Sequence, residues 1–209
     1  MLLYLVRHGQ TEANKARILD QDKGPLSSEG RADALKLAKR LKHEKIDTLI
    51  ASDYERTVET ATIISVQLKL PITKTVLARE ERIPSSLVSK PQDGGSFETC
   101  YRALADKHAD DPDWHYEDAE NPTEMLVRAK KFLAFAQGFS GERICVVTHR
   151  GFLRYVAAAV ILGEAAEPAL VRRYIRPHLE HFNTAITVCE FFSQKGWRLI
   201  AWNDQAHLG

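Results

Sequence analysis

Leu2-Leu3-Tyr4-Leu5-Val6 is an unbroken apolar run that stops abruptly at Arg7-His8-Gly9. A run with no polar alternation reads as a strand covered on both faces, and its sheet needs helices above and below. The chain supplies them. Gly24-Pro25-Leu26-Ser27 is turn chemistry with Ser27 or Ser28 as N-cap. Ala34, Leu35, Leu37, Ala38 and Leu41 then recur at helical spacing, which predicts an amphipathic helix over residues 28–43. Residues 48–51 form a short second strand, and Ser52-Asp53 can cap the helix that follows. Val58, Ala61, Ile64 and Leu68 mark that helix's buried face, and residues 71–76 read as a third strand.

Later, Asn121-Pro122-Thr123-Glu124 combines an N-cap, a proline at N1 and a capping-box glutamate. Leu126, Ala129, Phe132, Leu133 and Ala136 continue as a helix face. Residues 143–148 read as a strand ending in His149-Arg150-Gly151, followed by an almost wholly apolar helix to about residue 162. Residues 184–192 and 197–202 read as two strands joined at Gln194-Lys195-Gly196. Alternating strands and helices define an α/β fold. We expect a three-layer sandwich with a mainly parallel central sheet, the last strand pair adding antiparallel pairing.

The chain of 209 residues suits a single domain, 1–209, carrying an insertion. That insertion, at about 84–121, is punctuated by Pro84, Pro91, Gly94-Gly95 and Pro112 and is rich in aspartate and glutamate. Excursions of this length are often lids that shape an outer pocket. With 29 basic and 28 acidic residues, nothing points to nucleic acid or a membrane surface as partner. The N-terminal run is too short for a signal peptide, and residues 156–162 are too short to span a bilayer. Cys100, Cys145 and Cys189 are widely spaced and read as free thiols in a reducing compartment, so the expected location is cytoplasmic. Monomer and homodimer are both open.

In α/β sheets ligands bind beyond the carboxyl ends of the strands. Three such ends here carry polar residues: Arg7 and His8; Ser52, Asp53 and, one turn on, Arg56; and His149 with Arg150. Arginine forks match phosphate oxygens, and helix N-termini beside them add positive dipole ends. The pattern predicts an anion pocket with imidazoles inside it. Pro177-His178-Leu179-Glu180-His181 could suggest a metal site but reads better as ordinary loop histidines at the pocket rim.

Leu5-Val6-Arg7-His8-Gly9-Gln10-Thr11-Glu12-Ala13-Asn14 resembles the signature of the histidine phosphatase superfamily, the phosphoglycerate mutase-like group. Further matches follow in order: Gly24 to Gly30, Ser52 to Thr57 with Thr60-Ala61, Leu77-Ala78-Arg79-Glu80, Val146 to His149, and Asn183 to Thr187. The resemblance implies His8 as a covalent nucleophile and His149 as the second pocket histidine. Arg7, Arg56 and Asn14 are implied as phosphate contacts, with Gln10 and Thr11 beside them. Glu80 matches the proton donor, although Glu81 is adjacent and Asp53 is a further candidate. Arg150 stands where the family usually has glycine and could reach a second anionic group. The run after the acid, Arg79 to Ser86, lacks the Arg-His-Tyr-Gly segment of phosphoglycerate mutases. The implied activity is therefore a phosphomonoester hydrolase, with a mutase or a non-catalytic phosphate-binding module as alternatives. It acts on a small phosphorylated metabolite with neither cofactor nor metal, the cations being supplied by side chains.

Overall fold

The computed structural model describes residues 1–92 and 95–209, with the side chains of residues 95–102 outside the description. Its described strands form one six-stranded sheet: β1 (Leu2–Arg7), β2 (Thr48–Ser52), β3 (Ile72–Thr75), β4 (Arg143–Thr148), β5 (Ile186–Phe192) and β6 (Gly196–Asp204). The order is β3-β2-β4-β1-β5-β6. Four neighbouring strands run parallel, and β5 and β6 are added antiparallel. The sheet is thus mixed.

The helices include α1 (Glu12–Lys15), α2 (Ser28–His43), α3 (Glu55–Leu68), α4 (Gly95–Asp110), α5 (Pro122–Gln137) and α6 (Arg150–Leu162). Side chains alternate across β1 and β4 with the two-residue strand period. Leu3, Leu5, Ile144 and Val146 pack with Met125, Phe132, Phe152 and Tyr155 from α5 and α6. Tyr4, Val6, Cys145 and Val147 pack on the other face with Leu37, Leu41, Ala61 and Ile64 from α2 and α3. These two cores make the three layers, and the bilateral burial of β1 explains its unbroken apolar run.

Local signals decide the helix boundaries. Ser27 caps α2 by accepting from the Gly30 amide at 3.0 Å. Asn121 and Glu124 form the reciprocal capping box that starts α5. The predicted cap at Ser52-Asp53 is different. Tyr54 precedes α3 without a side-chain cap, because Asp53 is held by Arg79 and Ser52 faces His149. Leu35 is exposed, since the buried stripe of α2 follows Gly30, Ala34, Leu37, Ala38 and Leu41.

Within the predicted insertion, α4 and the turn Ser85–Leu87 are the regular elements. Its acidic residues have structural partners: Asp118 accepts from the Ser85 hydroxyl, Glu117 from Ser86, and Glu120 pairs with Arg128. Cys145 and Cys189 are buried free thiols, each pushed up to about 12 by burial, and the Cys100 side chain lies outside the described residues. Among the described residues no helix is long and apolar enough to cross a membrane.

Candidate active site

The carboxyl ends of β1 and β4 lie side by side, with Arg7 opposite Thr148 and the His8 amide donating to the Thr148 carbonyl at 3.0 Å. The chain beyond His8 is stitched down on both sides. The Gly9 amide donates to Thr60 Oγ1 at 3.0 Å, and the Gln10 carbonyl accepts from the Ser27 amide at 2.8 Å. Gly30 is required by this close approach, since a Cβ there would strike the Gln10 backbone. The two glycine motifs, Gly9 and Gly24 to Gly30, therefore serve one purpose: they seat the histidine loop on the start of α2.

His8 is almost fully buried, and its Nδ1 lies 2.7 Å from the Gly9 carbonyl oxygen. A carbonyl only accepts, so Nδ1 carries the proton and Nε2 keeps its lone pair. Arg56 donates from Nε to His8 Nε2 at 3.1 Å, consistent with that tautomer. Burial first, then the charges of Arg56 and Arg7, hold the His8 imidazole well below the usual histidine range. Desolvation is the larger cause, and like-charge repulsion from the arginines adds to it.

A cavity of about 200 Å³ opens over His8. Arg7, Asn14, Arg56, Glu80, Glu81 and Arg150 are among its lining residues. Arg7 donates from Nη1 to the His181 carbonyl at 2.7 Å, while its buried Nε has no hydrogen-bond acceptor among the described residues. An unpaired buried donor costs roughly 1–3 kcal/mol, and an anion in the cavity would relieve that cost. Burial, then Arg150, pushes Arg7 down to about 9, which leaves it cationic at neutral pH. Asn183 donates to the His8 carbonyl at 2.9 Å and to Asn14 Oδ1 at 3.4 Å, so the Asn183 motif braces the loop from the β5 side.

Three expected contacts sit elsewhere. Gln10 accepts from the Ser27 hydroxyl at 3.0 Å, and Thr11 caps α1 through the Asn14 amide; neither lines the cavity. Their side chains fix the loop that carries His8. His149 is fully buried and does not line the cavity either. Its Nδ1 accepts from Arg56 Nη2 at 3.2 Å, and its Nε2 is 2.9 Å from Ser52 Oγ. It therefore lies behind Arg56, its ring centroid 5.2 Å from that of His8.

Glu80 lies at the N-terminus of α6. Its carboxylate accepts from the backbone amides of Glu81 (2.9 Å), Gly151 (3.1 Å) and Phe152 (2.9 Å). Gly151 leaves room for it, because a Cβ there would sit 2.5 Å from Glu80 Oε1. The positive end of this helix is thus occupied by a carboxylate, where the sequence suggested it faced the anion directly. Glu81 also lines the cavity but is bound by Arg176 at 2.8 Å and 2.5 Å, with Arg172 at 4.0 Å. Asp53 is outside the cavity, paired with Arg79.

Arg150 lines the cavity and meets Glu180 only at 3.7 Å. Arg154, one turn on, holds Glu180 at 3.0 Å and the Leu179 carbonyl at 2.6 Å. Sequence reasoning passed over Arg154, Arg176, Asp20 and Gln92, all of which line the cavity. The i, i+4 spacing of Arg150 and Arg154 was the signal for the second arginine. From the predicted insertion, Gln92 is the lining residue among those described. His181 has its ring nitrogens near Phe182 O and Thr187 Oγ1 and its ring against Trp202, so it serves the packing of the polar tail.

A buried imidazole facing a cation-lined cavity at parallel strand ends defines a phosphoryl-handling site. The chain belongs to the histidine phosphatase superfamily (branch 1), whose family model matches residues 3–205. It is 44% identical over 219 residues to the Enterobacter sp. protein named "Probable phosphoglycerate mutase GpmB", covering 99% of this chain and 94% of that one. It is 29% identical over 217 residues to a metal-independent phosphoserine phosphatase of Arabidopsis thaliana, covering 99% and 82%. Its fold matches a mycobacterial glucosyl-3-phosphoglycerate phosphatase solved with VO3, at TM-score 0.81 and 21% identity over 98% of this chain and 99% of the other.

Proposed function

We propose that this chain is a metal-independent phosphomonoester hydrolase that works through a phosphohistidine on His8. The observation that carries the reading is the His8 tautomer: Nδ1–H is tied to the Gly9 carbonyl and Nε2 is turned toward Arg56. A phosphate oxygen competing for Arg56 Nε frees the Nε2 lone pair to attack phosphorus. The P–N bond forms, the ester P–O bond breaks, and Glu80 protonates the departing oxygen. Water then attacks the phosphohistidine, its proton passes to Glu80, and the N–P bond breaks to release inorganic phosphate. This is acid–base and nucleophilic catalysis combined.

Arg7 and Arg56 stabilise the charge spread over the transferring oxygens, the work that a metal performs in other phosphoryl-transfer sites. Asn14 adds a neutral contact at the cavity wall. His149 acts through Arg56, fixing the guanidinium plane rather than touching phosphate. Glu80 is favoured over Glu81 because Arg176 and Arg172 already occupy the Glu81 carboxylate. A cavity of about 200 Å³ suits a small phosphorylated metabolite. Arg150 is placed to receive a second anionic group on it. The reading retains one domain over residues 1–209 and a cytoplasmic setting for the buried thiols.

A mutase is the second reading, carried by the 44% identity to the protein named as a phosphoglycerate mutase. Wild type and His8→Ala, incubated with phosphoglycerates in the presence of a metal chelator, separate the two. A hydrolase releases inorganic phosphate, dependent on His8. Isomerisation without phosphate release would establish the mutase.

A further inference from the structure

Arg128 is a cation in the middle of α5, on a helix whose other inward residues are apolar. Its guanidinium donates to three backbone carbonyls of the segment before α4: Leu77 at 3.1 Å, Arg79 at 2.7 Å and Glu80 at 3.3 Å. Glu120 grips the same fork from the other side, at 2.8 Å through each oxygen. The guanidinium carbon also lies 4.8 Å from the Phe152 ring centroid, and the Phe152 amide is one of the donors to the Glu80 carboxylate. Only about 14% of the Arg128 side chain is exposed.

These contacts fix both ends of one arrangement. The backbone of Glu80 is clamped by Arg128, and the side chain of Glu80 is clamped by the helix that Arg128 packs against. Between these acceptors, the Ala78 carbonyl is held by Thr148 Oγ1 at 2.7 Å, so the whole segment is pinned beside the start of α6. Arg128 does not line the cavity, so it touches neither substrate nor His8.

We infer that Arg128, gripped by Glu120, is a positioning residue that aims the Glu80 carboxyl at the leaving-group oxygen. The inference rests on the reading of Glu80 as proton donor. Proton donation matters most when the leaving group is a poor one, because a stabilised phenolate departs without a proton. Loss of positioning therefore has a signature that a general loss of folded protein lacks.

The test compares phenyl phosphate with 2,4-dinitrophenyl phosphate for wild type, Glu80→Gln, Arg128→Gln and Arg128→Lys. Each ratio comes from one preparation, so the folded fraction cancels. Glu80→Gln is expected to lower kcat/KM on phenyl phosphate by roughly 10²–10⁴ more than on the dinitrophenyl ester. Arg128→Gln is expected to shift the same ratio about tenfold in the same direction, the scale of a misplaced catalytic group. Arg128→Lys carries the test if the glutamine variant does not fold, since one ammonium cannot span three carbonyls and a carboxylate. In Glu80→Gln, adding Arg128→Gln is expected to leave the ratio unchanged, because the two act as a unit. An unaltered ratio in the Arg128 variants, with the Glu80 effect present, would overturn the inference alone. An unaltered ratio in Glu80→Gln would remove the proton-donor assignment and the inference with it.

Discussion

The ends of β1 and β4 invite comparison because they look alike in sequence and in space. Each is a buried parallel strand that ends in a histidine, and the two strands are hydrogen-bonded neighbours. Both imidazoles are held well below the usual histidine range, in each case mainly by burial and next by Arg56. Their hydrogen bonds differ. His8 has one nitrogen fixed by a backbone carbonyl and the other facing a displaceable guanidinium. His149 has both nitrogens committed, to Arg56 and Ser52, and no face on the cavity. Placement at a strand end makes a histidine available; its hydrogen-bond partners decide whether it attacks or orients.

The largest expected effect falls on the β1 side. His8→Ala should lose at least about 10⁴-fold in kcat on an aryl phosphate, since no other side chain can form the covalent intermediate. Arg56 serves both strand ends, so Arg56→Gln should cost roughly 10²–10³ in kcat/KM, as for loss of one transition-state donor. The same variant carries a pH prediction. On the proposed mechanism His8 attacks as the neutral base, so the acid limb of the wild-type profile should lie well below pH 6.5. Removing the Arg56 charge should move that limb upward, yet keep it under 6.5, because burial remains the larger cause. A limb that stays in place in the pH–rate profile would show that Arg56 does not set the His8 charge.

On the β4 side, His149→Asn should cost less, about tenfold to hundredfold, by loosening Arg56. Equal losses for His8→Ala and His149→Asn would break the comparison and make both histidines direct participants. The smallest effect concerns the residue after His149. Arg150→Gly should change the ratio of kcat/KM between a carboxylated and a neutral alkyl phosphate by several-fold, while an unchanged substrate profile would assign Arg150 to its exposed pair with Glu180.

Much of this was legible in the chain. The Ser27 cap, the Asn121–Glu124 capping box and the run of residues 143–148 gave α2, α5 and β4 almost to the residue, because those signals are local. Arg7, His8 and Arg56 were legible because strand ends converge in an α/β sheet. The standing of His149 was not, since a tautomer and its acceptors come from residues as distant as Ser52. Gln10 and Thr11 lie in the motif yet serve the backbone, and a motif does not say which of its members face outward. Arg128 escaped for a different reason. A charge on an amphipathic helix ordinarily reads as solvated surface, and only the fold brings the carbonyls of Leu77, Arg79 and Glu80 to it.

The central claim is that phosphate passes through His8 Nε2. Rapid quenching of wild type during turnover of a labelled aryl phosphate, followed by alkaline digestion and mass spectrometry, tests it directly. The account predicts phosphate on the peptide containing His8, stable to alkali and labile to acid as a P–N bond is, and absent from His8→Ala. Phosphate on any other residue, or turnover persisting in His8→Ala at the wild-type rate, would contradict it.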